Sequence, residues 1–147
     1  MSKFLVRQST PHDVPDLLEV WRRAVDATHD FLSAEDRVAI DAIVAKDYLP
    51  AASLLLAVDG KDKPVAFLGG CEGEIESLFV DPSVHGRGAG RLLVEAFASR
   101  GSGPLTVDVN EQNAGARRFY ERLGFRVTGR SPADGEGRAY PLLHLAR

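Results

Sequence analysis

The chain has 147 residues, 44% of them hydrophobic, and a net charge of −3. That is enough for one domain with a single core, expected over 1–147, and it lacks the basic balance of a nucleic-acid binder. One cysteine excludes an internal disulfide and a cysteine-cluster metal site, and the longest apolar run, Leu54–Val58, is far short of a membrane span.

The opening MSKFLVRQST has no apolar signal core, so a cytoplasmic protein without membrane partners is expected. Phe4–Gln8 reads as a short strand. Thr10-Pro11-His12-Asp13 reads as a helix start, with Thr10 as cap and Pro11 in the first turn. Val14, Leu17, Leu18, Trp21 and Val25 then share one apolar face, which makes Trp21 a core residue. Ser33-Ala-Glu-Asp36 reads as a capping box for a second helix, with Ile40, Ile43, Val44 and Tyr48 on its buried side and Pro50 after its end. Leu54–Val58 and Pro64–Gly69, joined through Asp59-Gly60-Lys61-Asp62, predict a hairpin. Cys71 follows it and is expected to be small, buried and inert.

Glu74–Val80 is the next strand. Glu74 and Glu76 lie two apart and face one side of it, as a solvated polar face or as a pair that raises one pKa. Gly90–Arg100 reads as a helix, Leu105–Val109 as a strand and Asn113–Leu123 as a helix ending at Gly124. Phe125–Gly129 and Tyr140–Leu145 complete the set. Periodicity alone supports α/β or α+β and no more. His12 and His144 have no partner at metal-ligand spacing.

The densest signal is EIESLFVDPSVHGRGAG running into RLLVEAFASR. A strand ending at glycines and opening a helix builds an anion site, because the first helical turn has unpaired N–H groups and a partial positive charge. A Walker loop is absent. A dinucleotide fingerprint needs G-x-G-x-x-G, and here Gly86, Gly88 and Gly90 put the third glycine one place early.

The string LFVDPSVHGRGAGRLL, followed by NAGARRFYERLGF, resembles the GNAT superfamily of acyl-CoA N-acyltransferases. The resemblance is strong from about Val65 to Val127, and the two motifs in this order are highly specific. AVDATHDFLSAED, VNEQN and GRAYPLLHL look like its bacterial YjaB-like branch.

The resemblance implies a mixed α+β fold. Its centre is a mostly antiparallel twisted sheet of about seven strands, with about four flanking helices. It implies acetyl-CoA as acyl donor, CoA as product and no metal. It places pantetheine on the backbone of Leu78, Phe79 and Val80, and phosphates on His85, Gly86, Arg87, Gly88, Ala89, Gly90 and Arg91. His85 stands where the family usually has Gln or Arg. Tyr120 matches the family's general acid, and Asn113 a residue near the CoA arm or a plain N-cap. Glu74 sits where several members carry a catalytic glutamate; Glu76, Asp108 and His29 remain alternatives for the base. His29, Phe31 and Asp108 are expected on the acceptor side. The acceptor implied is a primary amine, such as a protein lysine. Acetylation of a small-molecule amine and a non-catalytic acyl-CoA sensor stay open, as do a monomer and a weak homodimer.

Overall fold

The computed structural model describes residues 3–147, so Met1 and Ser2 of the expected 1–147 domain lie outside the described residues. The apolar runs become the middle of the sheet. In β2 (Leu55–Val58) all four residues are buried, and in β3 (Pro64–Cys71) the first six are. Leu55 and Ala57 enter one core while Leu56 and Val58 enter the other, so these strands read as continuous apolar stretches rather than alternating ones.

β1 (Leu5–Gln8) pairs with β2, and β3 with β4 (Glu74–Val80). The sheet continues through β5 (Thr106–Asn110), β7 (Leu142–Ala146) and the edge strand β6 (Arg126–Ser131), in the order β1-β2-β3-β4-β5-β7-β6. All neighbours are antiparallel except β4 and β5, which run parallel. The sheet has seven strands, as the resemblance implied. α1 (Val14–Thr28) and α2 (Ala34–Ile43) cover one face; α3 (Ala89–Ala98) and α4 (Ala114–Arg122) lie on the other. Among the described residues no helix is long and apolar enough to cross a membrane.

The helix starts follow the expected chemistry. Ser33 Oγ accepts from the Asp36 amide at 3.1 Å, and Thr10 and Asp13 form a reciprocal capping box over a 3-10 turn. Two burial expectations are corrected. Ile43 is 38% exposed, because α2 widens into a π-helical turn over Val44–Tyr48 that rotates the apolar stripe and buries Val44 instead. Cys71 is exposed, because it ends β3 at the Glu72–Gly73 turn, past the part of the strand that is covered.

β1 is tied to the start of α1 by one ion pair. Arg7 donates twice to Asp13, at 2.8 and 2.9 Å, and the Thr10 amide adds a third bond at 2.8 Å. These bonds, Arg7's first, hold the Asp13 carboxyl at about 2 against an ordinary 3.8, with burial opposing them. A carboxyl depressed in the folded state binds its proton more readily when unfolded. Its stabilisation is therefore present above the unfolded value and lost as pH falls through the folded one. The shift corresponds to about 2 kcal/mol. Stability should be level above about pH 5 and fall between about pH 4 and 2, and Asp13→Asn should flatten that fall. Urea denaturation across this range checks it.

Candidate active site

The site begins with an irregularity in β4. Its register against β3 runs Gly69↔Ser77 and then Gly70↔Ile75, which leaves Glu76 as an extra residue. Such a bulge bends the strand and breaks its alternation. Ile75 lies in the α3-side core, whereas Ser77 faces the other way and bonds Tyr48 Oη at 2.5 Å. Glu76, the bulged residue, lines the same cleft as Ser77.

The bend has a consequence on the other edge. β4 and β5 are paired only at Glu74↔Thr106 and Ile75↔Val107. Beyond that they diverge, and Leu78, Phe79 and Val80 keep partners on β3 alone (Leu68, Phe67 and Ala66). Their other edge offers main-chain donors and acceptors to an extended ligand, the same physics as strand addition.

Two clefts meet at this split. One, of about 200 Å³, runs from His85 past Val80 and Phe119 to Tyr120. The other, of about 120 Å³, is lined by Glu76, Asp108, His29 and Tyr120. Leu78, Phe79, Asn113 and Tyr120 line both. A larger hollow of about 500 Å³ lies by Cys71 and Arg100, and none of the expected site residues line it.

After Val80 the chain turns at Asp81, which is buried. The Arg23 guanidinium of α1 donates to Asp81 Oδ2 at 2.6 and 3.0 Å, and the Ser83 amide donates to Oδ1 at 3.0 Å. Burial alone would raise this carboxyl, but Arg23 and Ser83 outweigh it and hold it below the usual range. The corner leads to the glycine loop. Gly86 and Gly88 have φ of +78° and +89°, which side-chain-bearing residues rarely adopt, and Gly88 is the N-cap of α3. The amides of Ala89, Gly90 and Arg91 therefore form the open first turn. Gly90 is needed for a different reason: a Cβ there would come within 3.1 Å of Phe119.

Tyr120 is 5% exposed and stacks edge-on with Phe119 and Phe125. Burial pushes its phenol well above its ordinary value, so the group stays protonated at neutral pH. Asn113 caps α4, its Oδ1 accepting from the Ala116 amide at 3.0 Å. Structural cap and cleft wall are thus one residue.

Glu74 and Glu76 are both exposed and flank buried Ile75. Only Glu76 lines the cleft shared with Tyr120; Glu74 sits one step back, paired with Cys71 and Thr106. His29 lines both clefts, and desolvation lowers its pKa against the opposing charge of Asp30. Phe31 lies outside them but stacks on His29 at 5.3 Å and on Tyr140 at 5.9 Å. The Tyr140 hydroxyl donates to Asp36. Aromatic rings thus bridge the α1–α2 loop and the β6–β7 loop beside the carboxylates. Sequence reading missed Arg23, Tyr140, Ser131 and the partner of His144, which is Asp108 at 2.6 Å. Only the Asp81-Pro82 corner carried a local signal. Among the described residues no group of three or more His, Cys, Asp or Glu side chains could hold a metal.

The comparisons agree with this geometry. The "Acetyltransferase (GNAT) domain" family model matches residues 50–127. The chain is 47% identical over 141 residues to the peptidyl-lysine N-acetyltransferase YjaB of Escherichia coli, covering 96% of this chain and 95% of that one. The solution structure of apo YjaB from the same organism superposes with a TM-score of 0.92 at 46% identity, covering 97% and 96% of the two chains. The paia N-acetyltransferase of Thermoplasma acidophilum, solved in complex with coenzyme A, shares the fold at a TM-score of 0.76 and 20% identity, over 98% of each chain. The strand split, the glycine loop at a helix start and this sequence likeness have one explanation: the chain is an acetyltransferase belonging to the GNAT family.

Proposed function

We propose that the protein transfers the acetyl group of acetyl-CoA to the side-chain amine of a protein lysine. The split between β4 and β5 carries this reading, because it brings a free strand edge, a glycine-loop anion site, a protonated phenol and two carboxylates to one groove. The name of the E. coli relative, a peptidyl-lysine N-acetyltransferase, supports a lysine acceptor.

The residues present fit the donor. The open edge of Leu78–Val80 suits the amides of a pantetheine arm, and the apolar wall of Val80 and Phe119 suits its methylenes. The first-turn amides of α3, with Arg87 and Arg91 beside them, suit a pyrophosphate. Acetyl-CoA supplies an activated carbonyl and a thiol leaving group.

The chain's own residues do the rest. A lysine amine has a reference pKa near ~10.4 and arrives protonated. Glu76 and Asp108, on the two walls of the split, attract that ammonium and lower its proton count before attack. The Tyr120 phenol donates to the departing sulfur. Its contribution is differential, since negative charge grows on sulfur only toward the transition state. His29 and Phe31 wall the acceptor mouth with flat, largely apolar surface suited to a methylene stem.

Incubation with acetyl-CoA and a panel of lysine peptides and free amines, read by mass spectrometry, tests the reading. Transfer to peptide lysine is expected. Tight acetyl-CoA binding with no transfer to any amine would instead show a sensor.

Three variants probe the parts. Gly88→Val should weaken CoA binding at least about tenfold by calorimetry, because valine cannot take the left-handed backbone without strain; unaltered affinity in a folded variant would displace the phosphate site. Tyr120→Phe should keep CoA affinity and lower kcat by about 10²-fold, the scale of a lost general acid. Glu76→Gln should lower kcat/KM by about tenfold or more, because Glu76 lines the acceptor cleft, and Glu74→Gln far less; steady-state kinetics showing the reverse order would place Glu74 rather than Glu76 at the acceptor.

A further inference from the structure

On the face of the sheet opposite α4, three side chains from three strands form a hydrogen-bonded line. Asp108 of β5 lies 2.6 Å through Oδ1 from His144 Nδ1 on β7, and His144 Nε2 lies 2.7 Å from Ser131 Oγ on β6. The strand registers build this line. Asp108 and His144 are direct cross-strand partners. Across from His144, β6 slips register between Val127 and Gly129, which sets Gly129 opposite the imidazole. Thr128 Oγ1 also donates to the His144 carbonyl at 3.2 Å. Asp108 is the member that lines the cleft with Tyr120 and Glu76.

We propose that Asp108 is the proton acceptor for the substrate amine, and that His144 is its positioning residue, with Ser131 holding the far nitrogen of the ring. This rests on the acetyltransferase reading above. The Asp108 carboxylate only accepts, so the imidazole proton sits on Nδ1 and donates to Oδ1, which leaves Nε2 to accept from the Ser131 hydroxyl. The carboxylate is then held in one orientation, with its second oxygen free for the acceptor.

The protons balance. The ammonium has three N–H bonds. One proton passes to Asp108 before attack and from there to solvent. The nitrogen then bonds the carbonyl carbon as the carbon–sulfur bond breaks, and Tyr120 gives its proton to sulfur. A second nitrogen proton replaces the one Tyr120 lost, and the third stays on the amide. One proton is released per turnover.

The arrangement also sets a pH dependence. Protonation of Nε2 would reverse the bond to Ser131 and place a full cation against Asp108, making the carboxylate a weaker proton acceptor. The other ionisable groups facing the pair are Glu76 on β4, His29 from the α1–α2 loop, Tyr120 from α4, and Arg126 on β6, whose register partner Ala146 is two places from His144. None of them is bonded to the imidazole.

The test uses the full chain, acetyl-CoA and a lysine peptide, with kcat and kcat/KM followed over about pH 5–9. His144→Ala should lower kcat by about tenfold or more with acetyl-CoA affinity unchanged. His144→Asn keeps an N–H donor near the Nδ1 position and does not titrate. It should recover most of kcat at neutral pH and displace the acidic limb. Should the alanine variant fail to fold, as judged by its acetyl-CoA affinity, the asparagine profile decides alone. Wild-type kcat in a folded His144→Ala, or an acidic limb in His144→Asn that coincides with the wild-type one, overturns the assignment. Absence of turnover in the wild-type protein overturns the acetyltransferase reading and this one with it.

Discussion

The site depends on one extra residue in one strand. Glu76 has no partner on β3, and the bulge it creates bends β4 away from β5 after two paired positions. A sheet in which β4 and β5 stayed in register would satisfy more backbone hydrogen bonds and have no groove. The open edge at Leu78–Val80 costs ladder bonds, which an extended ligand can restore. The same bulge puts Glu76 and Ser77 in the wall of one cleft, so the event that opens the groove also directs a carboxylate into it.

The rest of the fold steadies that opening. Phe79 lies within ring contact of Trp21, Phe67 and His29, which anchors the free segment of β4 on the α1 side. Arg23 of α1 grips Asp81 just past the strand, and the glycine loop starts from that fixed corner. The loop is positioned by a helix remote in sequence as well as by its own glycines. Phe119 closes the arrangement, because its ring lies where a side chain at position 90 would go. Gly90 and Phe119 are thus a packing pair that joins the two sequence motifs across the split.

The electrostatic roles follow from depth. Tyr120, deep in the α3–α4 core, keeps its proton, whereas Asp108 and Glu76 lie at the exposed mouth. Phenol and carboxylates are separated by burial, on opposite faces of the same gap. Only a parallel pair of strands that diverges gives both faces access to one bound molecule.

Much of this was legible in the chain. The glycine loop, the caps at Ser33 and Asn113, and the helical spacing of Ala116, Phe119, Tyr120 and Leu123 are local matters of backbone geometry, written within a few residues. The family motifs therefore identified the fold. What the tertiary structure alone decided was which side chains meet across distance. Glu76 rather than Glu74 reached the cleft because of a register slip that no local pattern records. Asp108 met His144 and Ser131, and Tyr140 met Asp36, because strand order placed β7 between β5 and β6 and brought their loop back to α2. Local propensity sets the conformation of each segment. Partners separated by 36 or 104 residues are set by topology, which exists only once the sheet has formed.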